Sequence, residues 1–327
     1  MDRKNEMINS LAITGPTASG KTAVSISLAR ALGAEIISCD SMQIYKEMDI
    51  GTAKATQSER EAVPHHMLDF LSPTESYSAE AYRTAALAVA KDISERMRLP
   101  MFVGGTGLYI DTVMRAPVTH VPESSREYRE KILASLKTEE DIEALWKRLR
   151  EIDPESAEII HKNNIRRVIR AIEIYEETGK TKSYFDRLSR AESPDIRVGM
   201  ITLDFHNREN LYMRVDLRVE EMLRGGLVDE VKSLYKRGLL PKGSTAAQAI
   251  GYKELISYIE GEATLDEAAE LIKLSTRRYA KRQLTWFRHE ADAYRLYVDT
   301  EDGVMREKED IISEARLAAE GFIKKFS

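Results

Sequence analysis

The chain contains a single cysteine, Cys39, so neither an intrachain disulfide nor a cysteine-built zinc centre can form, and a reducing compartment fits best. Long apolar runs are missing as well. The longest unbroken one, Ala85 to Ala90, falls far short of the roughly 20 residues that a helix needs to cross a bilayer. The opening residues Met1 to Ser10 lack a basic stretch leading into an apolar one, so no membrane association and a cytoplasmic location are expected. Nor is there a surplus of positive charge. Lys and Arg number 49 against 54 Asp and Glu, a net charge of −5, which argues against wholesale attraction to nucleic acid and leaves local basic patches as the electrostatic route to it. Internal repeats and low-complexity tracts are not found. What is present is a globular composition, 43% hydrophobic and 31% charged, over 327 residues, a length that suits two domains or one domain with a large insertion.

Apolar patterning supplies an order of elements. Leu11 to Thr14 reads as a strand, followed by a Gly-rich turn and a helix from about Lys21, in which Val24, Leu28 and Leu32 recur every fourth residue. A second β-like run, Ala34 to Cys39, ends in Asp40-Ser41. A third, Pro100 to Val103, follows the helical stretch Ser78 to Arg98 and runs into Gly104-Gly105-Thr106-Gly107. Strands alternating with helices predict a parallel sheet with its ligands at the carboxyl ends of the strands, so all three loops should face one crevice. From about Thr119 to residue 197 the pattern becomes charged and helical. The β signal returns at Val198 to Asp204, then come helical stretches Asn210 to Arg237, Leu255 to Ile259 and Leu265 to Arg288, and a last apolar run, Tyr294 to Val298. The expected architecture is an α/β, P-loop NTPase-like parallel sheet formed by 1–118 and 198–327, with an inserted all-helical domain at 119–197. Cys39, inside a strand-like run, reads as a small buried hydrophobe.

Gly15-Pro16-Thr17-Ala18-Ser19-Gly20-Lys21-Thr22 matches G-x-x-x-x-G-K-[ST] in full, between a strand and a helix. By average residue frequencies such a match arises by chance in roughly one chain of this length per hundred, before its context is counted. The glycines let the backbone fold into a nest of N–H groups, and the helix start adds about half a positive charge facing bound phosphates. Lys21 is expected to neutralise phosphate oxygens and the Thr22 hydroxyl to hold Mg²⁺. Nucleotide kinases, NTPases and diphosphate-using transferases all remain open on this loop alone.

A hydrolase or motor of this class usually carries an apolar strand ending in a magnesium-binding Asp together with a water-positioning residue, and no clear pair of that kind is found. The strand after the third crossover delivers glycines and the Thr106 hydroxyl instead, and the acid at the mouth of the second strand is Asp40. A carboxylate there can accept a proton from an attacking amine or hydroxyl. A kinase using Asp40 to activate its acceptor would require ATP. A non-catalytic RNA-binding regulator would have no use for Asp40 and Thr106.

The residues resemble the tRNA dimethylallyltransferases, also called tRNA isopentenyltransferases. The resemblance is carried by Gly15 to Thr22, by Asp40-Ser41-Met42-Gln43-Ile44-Tyr45 with Gly51-Thr52-Ala53-Lys54, by Pro64-His65-His66 with Asp69, and by Gly104 to Tyr109. It continues in Arg166-Arg167-Val168 with Arg170-Ala171 and Glu173, in Gln248 to Lys253, and in Lys281-Arg282-Gln283-Leu284-Thr285-Trp286. These blocks run in family order over about residues 11 to 290. The resemblance implies that Thr17 to Thr22 line a site for the diphosphate of dimethylallyl diphosphate, with Lys21 in a catalytic role. It implies that the acceptor is N6 of the adenosine at tRNA position 37, that Asp40 takes its proton, and that Thr106 lies near the reacting groups. It further implies tRNA contacts from Asp40, Ser41, Met42, Gln43 and Thr106, from Arg129, and from Arg166, Arg167, Val168, Ile169 and Arg170. Gln248 would lie near the diphosphate, at a position where some family members carry arginine. The Cys/His-rich zinc extension of eukaryotic members is absent, which is bacterial in type.

Two basic tracts stand out against the acidic total. Lys162 to Arg190 has eight basic residues and four acids, and Arg277 to Arg288 has five basic residues and no acid. Such runs are often only solvated helix faces. In the second, however, Tyr279, Trp286 and Phe287 lie among Arg278, Lys281, Arg282 and Arg288, offering rings for stacking beside cations for phosphates. Lys281, Arg282, Gln283 and Trp286 are therefore assigned to tRNA, and the helical insertion to gripping the anticodon stem-loop. Adjacent His65 and His66 cannot both turn easily to one ion, so they are expected to shape the acceptor pocket near Asp69. A monomer is expected.

Overall fold

The structure, a computed structural model, describes residues 7–116, 125–189, 191 and 193–326. The expected start of the helical insertion at Thr119, the preceding boundary at 118, and Arg190 at the end of the first basic tract lie outside the described residues. The chain divides into two compact units, Met1–Met114 with Asp195–Ser327, and Arg115–Pro194.

The first unit opens with β1 (Ile8–Thr14), α1 (Lys21–Leu32), β2 (Ala34–Ser38), α2 (Gln57–Ala62), β3 (His65–His66), α3 (Ala79–Glu95), β4 (Leu99–Gly104) and α4 (Gly107–Met114). The second unit is α5 (Arg126–Ser135), α6 (Glu139–Ile152), α7 (Pro154–Ile159), α8 (Ile165–Thr178) and α9 (Lys182–Leu188). The chain then returns to the first unit with β5 (Ile196–Asp204), α10 (Arg208–Arg224), α11 (Leu227–Lys236), α12 (Tyr252–Ile259), α13 (Leu265–Phe287), β6 (Tyr294–Tyr297) and α14 (Lys308–Phe326).

The six strands form one parallel sheet in the order β3-β2-β4-β1-β5-β6. β1 lies between β4 and β5, covered on both faces, which is why it reads as a continuous apolar run. Its side chains alternate between faces: Leu11 and Ile13 join the core that includes Leu28, Leu203 and Leu284, while Ala12 joins Ile37, Tyr82, Phe102 and Phe287 on the other side. A third core, of Ile44, Tyr45 and Met48 with Leu227, Val231, Tyr252 and Leu255, packs the segment after β2 against α11 and α12. The helical unit has its own core around Leu149, Val168, Ala171 and Ile172.

Three details differ from the sequence expectation. The stretch Asn210 to Arg237 is broken into α10 and α11 at Gly225-Gly226, where Gly226 takes φ 99°, a left-handed turn that ends one helix and starts the next. His65-His66 add an edge strand to β2. Finally, α14 was not anticipated; it lays Ile311, Ala315 and Ala319 on the β1–β5 face.

Candidate active site

The carboxyl ends of the central strands come out level. Thr14 of β1 pairs with Gly104 of β4, and Ser38 of β2 with Val103 of β4, so the loops beginning at Gly15, Cys39 and Gly105 share one edge of the sheet. Gly104 makes this approach possible: a Cβ there would sit 2.2 Å from the Cys39 carbonyl oxygen. These loops, together with α10 and α13, line a cavity of about 730 Å³.

The Gly15–Thr22 loop wraps its own backbone. Gly15 has φ 134°, and a Cβ on it would meet the Leu203 carbonyl oxygen at 2.6 Å. Ala18 and Gly20 are left-handed, with φ 63° and 95°. Gly20 precedes α1 without a side-chain cap, and the first turn of α1 has no acidic residue, so the positive end of the helix dipole faces the cavity uncompensated. Lys21 Nζ donates to the carbonyls of Gly15 (3.0 Å) and Pro16 (2.6 Å). Burial, and next the neighbouring Arg218 charge, push its pKa down to about 7, against the pull of Asp40.

Asp40 is the acid on the opposite loop. Its Oδ1 accepts from the amides of Met42 (2.9 Å) and Gln43 (3.4 Å), and its Oδ2 has no hydrogen-bond partner among the described residues. Burial raises the Asp40 pKa above the ordinary carboxylate range; the Met42 amide and Lys21 act the other way. The end of β2 is buttressed from behind. The Tyr82 hydroxyl donates to the Ser38 carbonyl at 2.9 Å and lies 2.9 Å from Cys39 Sγ, and the Tyr82 ring stacks on Tyr109 at 3.9 Å. Burial pushes the Cys39 thiol up to about 12, which keeps it neutral. Thr106 Oγ1 accepts from the Ser41 amide at 3.1 Å, tying the third loop to the second.

Sequence reasoning missed the contribution of α10. Arg214, Leu217, Arg218 and Glu221 present one face of it to the cavity; Arg214 Nε donates to the Ala18 carbonyl at 2.8 Å. Arg218 Nε is buried without a hydrogen-bond partner, and burial lowers the Arg218 pKa while Asp40 opposes the shift. The signal available was the four-residue spacing of Arg214 and Arg218, two of the four arginines of this helix. On α13, Ile272, Thr276, Tyr279, Arg282 and Gln283 line the same cavity.

Other expected residues fall elsewhere. Met42, Gln43 and Ser41 line the cavity, but the Gln43 side chain is committed internally, to Thr52 and Ala53 carbonyls (3.1 and 3.2 Å) and Ser38 (3.0 Å). Gln283, expected to touch tRNA, is 5% exposed and has both ends of its amide engaged within the protein. Arg282 lines the cavity; Lys281 and Trp286 do not. In the helical unit Arg166 and Arg167 are exposed and Arg170 Nη1 lies 2.7 Å from Glu173 Oε2. Val168 and Ile169, expected among the tRNA contacts, are each 1% exposed: on one helix the face opposite the arginines has to fill the unit's core. Arg129 Nε donates to the Ser125 carbonyl at 3.3 Å. Gln248 and His65 reach the cavity wall, whereas His66 and Asp69 do not. His66 Nε2 is 2.8 Å from Glu35, and Asp69 pairs with the buried Lys54 at 2.6 Å.

A glycine-rich phosphate-type loop at the end of β1, opened toward a carboxylate on the loop after β2, which lies one strand further across β4, defines a P-loop-type α/β protein fitted to a phosphorylated donor beside an acid able to activate an acceptor. The family model for IPP transferase matches residues 43–290, and that for isopentenyl transferase matches residues 8–73. The tRNA dimethylallyltransferase of Geobacillus thermodenitrificans is 50% identical over 85% of this chain and 87% of its own length, and that of Caldanaerobacter subterraneus subsp. tengcongensis 47% over 84% and 87%. Among solved structures, the full-length tRNA isopentenylpyrophosphate transferase of Bacillus halodurans superposes with a TM-score of 0.71 at 40% identity, covering 98% of both chains. A eukaryotic dimethylallyltransferase acting on tRNA gives 0.73 at 28% identity, covering 94% of this chain and 85% of that one. The chain belongs to the tRNA dimethylallyltransferase family.

Proposed function

We propose that this protein transfers the dimethylallyl group of dimethylallyl diphosphate to N6 of the adenosine at position 37 of tRNA, giving N6-(dimethylallyl)adenosine and diphosphate. The observation that supports it most directly is the pairing within one cavity of a cationic phosphate cradle, made by the Gly15–Thr22 loop, Lys21 and Arg218, with a carboxylate whose Oδ2 is free to accept a proton.

The chemistry follows from that pairing. An adenine N6 amine is a weak nucleophile because its lone pair is delocalised into the ring. A hydrogen bond to Asp40 raises its electron density as the new C–N bond forms, and the departing proton passes to Asp40. The allylic C–O bond breaks with its electron pair going to diphosphate. The charge developing there is met by the loop amides, the α1 terminus, Lys21, Arg214 and Arg218, a preorganised field that commonly supplies the largest catalytic contribution. Thr106, bonded to the Ser41 amide, holds the acceptor-side loop in place.

A Mg²⁺ ion fits the donor set present. Thr22 lines the cavity and its hydroxyl makes no side-chain hydrogen bond among the described residues, and those residues contain no cluster of three or more His, Cys, Asp or Glu side chains able to hold a metal by themselves. Magnesium characteristically uses one or two protein oxygens plus waters and phosphate oxygens, so Thr22 and the diphosphate would hold it and it would add leaving-group stabilisation.

The acceptor base must leave its stack to reach the cavity, at a cost of a few kcal/mol. Contacts with the anticodon stem-loop by Arg129, Arg166, Arg167 and Arg170, and by Lys281, Arg282 and Trp286, offset that cost on this reading. No described helix is long and apolar enough to cross a membrane; a cytoplasmic monomer is part of the proposal. The test is incubation with labelled dimethylallyl diphosphate, Mg²⁺ and unmodified tRNA, followed by digestion to nucleosides. Label in prenylated adenosine is expected; label confined to unreacted donor would overturn the proposal.

A further inference from the structure

We propose that Gln283 is a positioning residue which fixes the distance between the diphosphate cradle and the acceptor-side loop, and that it does not act by touching tRNA. Its side chain, on α13, spans two loops of the active site. Oε1 accepts from the Thr17 amide at 2.9 Å, and Nε2 donates to the Gly105 carbonyl at 2.8 Å. A backbone amide can only donate and a backbone carbonyl can only accept, so the amide orientation is forced, and no other uncharged side chain of this length supplies both roles. Gln283 is 5% exposed, so it presents almost nothing to a ligand.

The three parts are packed without slack. A Cβ on Gly105 would lie 2.1 Å from Gln283 Nε2 and 3.2 Å from the Gly15 carbonyl oxygen. On one side of the strut is the loop that holds the leaving group. On the other is the residue preceding Thr106, whose hydroxyl holds the Ser41 amide beside Asp40. Because the reacting nitrogen and carbon are delivered by opposite loops, their separation is set by whatever joins the loops. A misplacement of about 1 Å costs on the order of a hundredfold in rate. The Thr17 amide is thereby used inside the protein, as is that of Ser19, which donates to the Pro16 carbonyl at 3.3 Å.

The inference deepens the proposed function and rests on its assignment of the two loops to donor and acceptor. Its test therefore reads binding separately from turnover. Gln283→Met keeps the length and loses both hydrogen bonds; Gly105→Ala attacks the same strut from the other end. Both are compared with the unaltered protein for inorganic diphosphate affinity by calorimetry, for tRNA affinity at fixed salt, and for single-turnover prenylation. Each variant is expected to bind diphosphate roughly tenfold more weakly and to prenylate about a hundredfold more slowly, with tRNA affinity within twofold. A tRNA affinity that falls while diphosphate affinity holds would make Gln283 a tRNA contact and overturn the inference. So would a lowered melting temperature with binding and turnover unchanged. Should the unaltered protein bind diphosphate but fail to prenylate tRNA, the proposed function falls, while the diphosphate data still decide the strut.

Discussion

Replacing Asp40 by Asn separates the two jobs of this side chain. Oδ1 anchors the turn through the Met42 and Gln43 amides, at 2.9 and 3.4 Å. Asn retains a carbonyl oxygen for that purpose, so the loop should keep its shape, whereas Asp40→Ala would also forfeit about 1 kcal/mol for each lost bond. Oδ2, the oxygen proposed to take the N6 proton, becomes an NH₂ group that can only donate. Loss of a general base typically costs 10²- to 10⁴-fold, or about 3–5 kcal/mol of barrier. The anion also opposes the depression of the Lys21 and Arg218 pKa values. Its removal should deepen the depression of Lys21, so donor affinity is compared well below pH 7, where Lys21 is charged and the loss of a negative neighbour should leave diphosphate affinity unchanged or tighter. Single-turnover prenylation, with donor and tRNA affinities measured in parallel, should therefore show a loss of at least a hundredfold confined to the chemical step. An Asp40→Asn protein that turned over within threefold of the unaltered one would refute the role given to Oδ2.

Three further outcomes are expected. Lys21 must be charged to hold the donor and its pKa is lowered to about 7, so the affinity of the free enzyme for dimethylallyl diphosphate should decline as pH rises through 7. An affinity constant from pH 6.5 to 8.5 would contradict this. Arg166→Ala with Arg167→Ala should weaken tRNA binding and flatten its dependence on salt, because each lost phosphate contact releases fewer counterions; an unaltered slope would remove these residues from the interface. The buried Glu35 is held down to about 2, first by its hydrogen bond to Arg96. A folded-state pKa below the unfolded one stabilises the protein above about pH 4.5 and ceases to do so as pH falls through 2. The shift corresponds to about 2 kcal/mol once screening at the half-exposed Arg96 is allowed for. Glu35→Gln should thus lower the denaturation midpoint at pH 7 and lose that effect in strong acid; equal destabilisation at both pH values would refute the linkage.

What the sequence by itself determined is the part of the protein whose physics is local. The phosphate loop, its preceding strand and its following helix are contiguous, and turn chemistry with apolar period specifies them together. Asp40 and Thr106 were legible for the same reason, since each ends a recognisable strand and parallel strands deliver their carboxyl ends to one edge. The tertiary structure alone decided what closes over that edge. Arg214 and Arg218 read as any arginines on a helix, because local sequence does not distinguish a side chain facing solvent from one facing a cavity. Val168 and Ile169 sit within a basic run that resembles a tRNA-contacting segment, yet helical geometry turns them into the core while Arg166 and Arg167 stay exposed. Gln283 is the clearest case. Its place in a basic, aromatic stretch suggested RNA, but its partner Thr17 lies 266 residues away. A contact over that separation leaves no periodicity in the sequence, since only the packing of α13 across the sheet edge brings the two groups together.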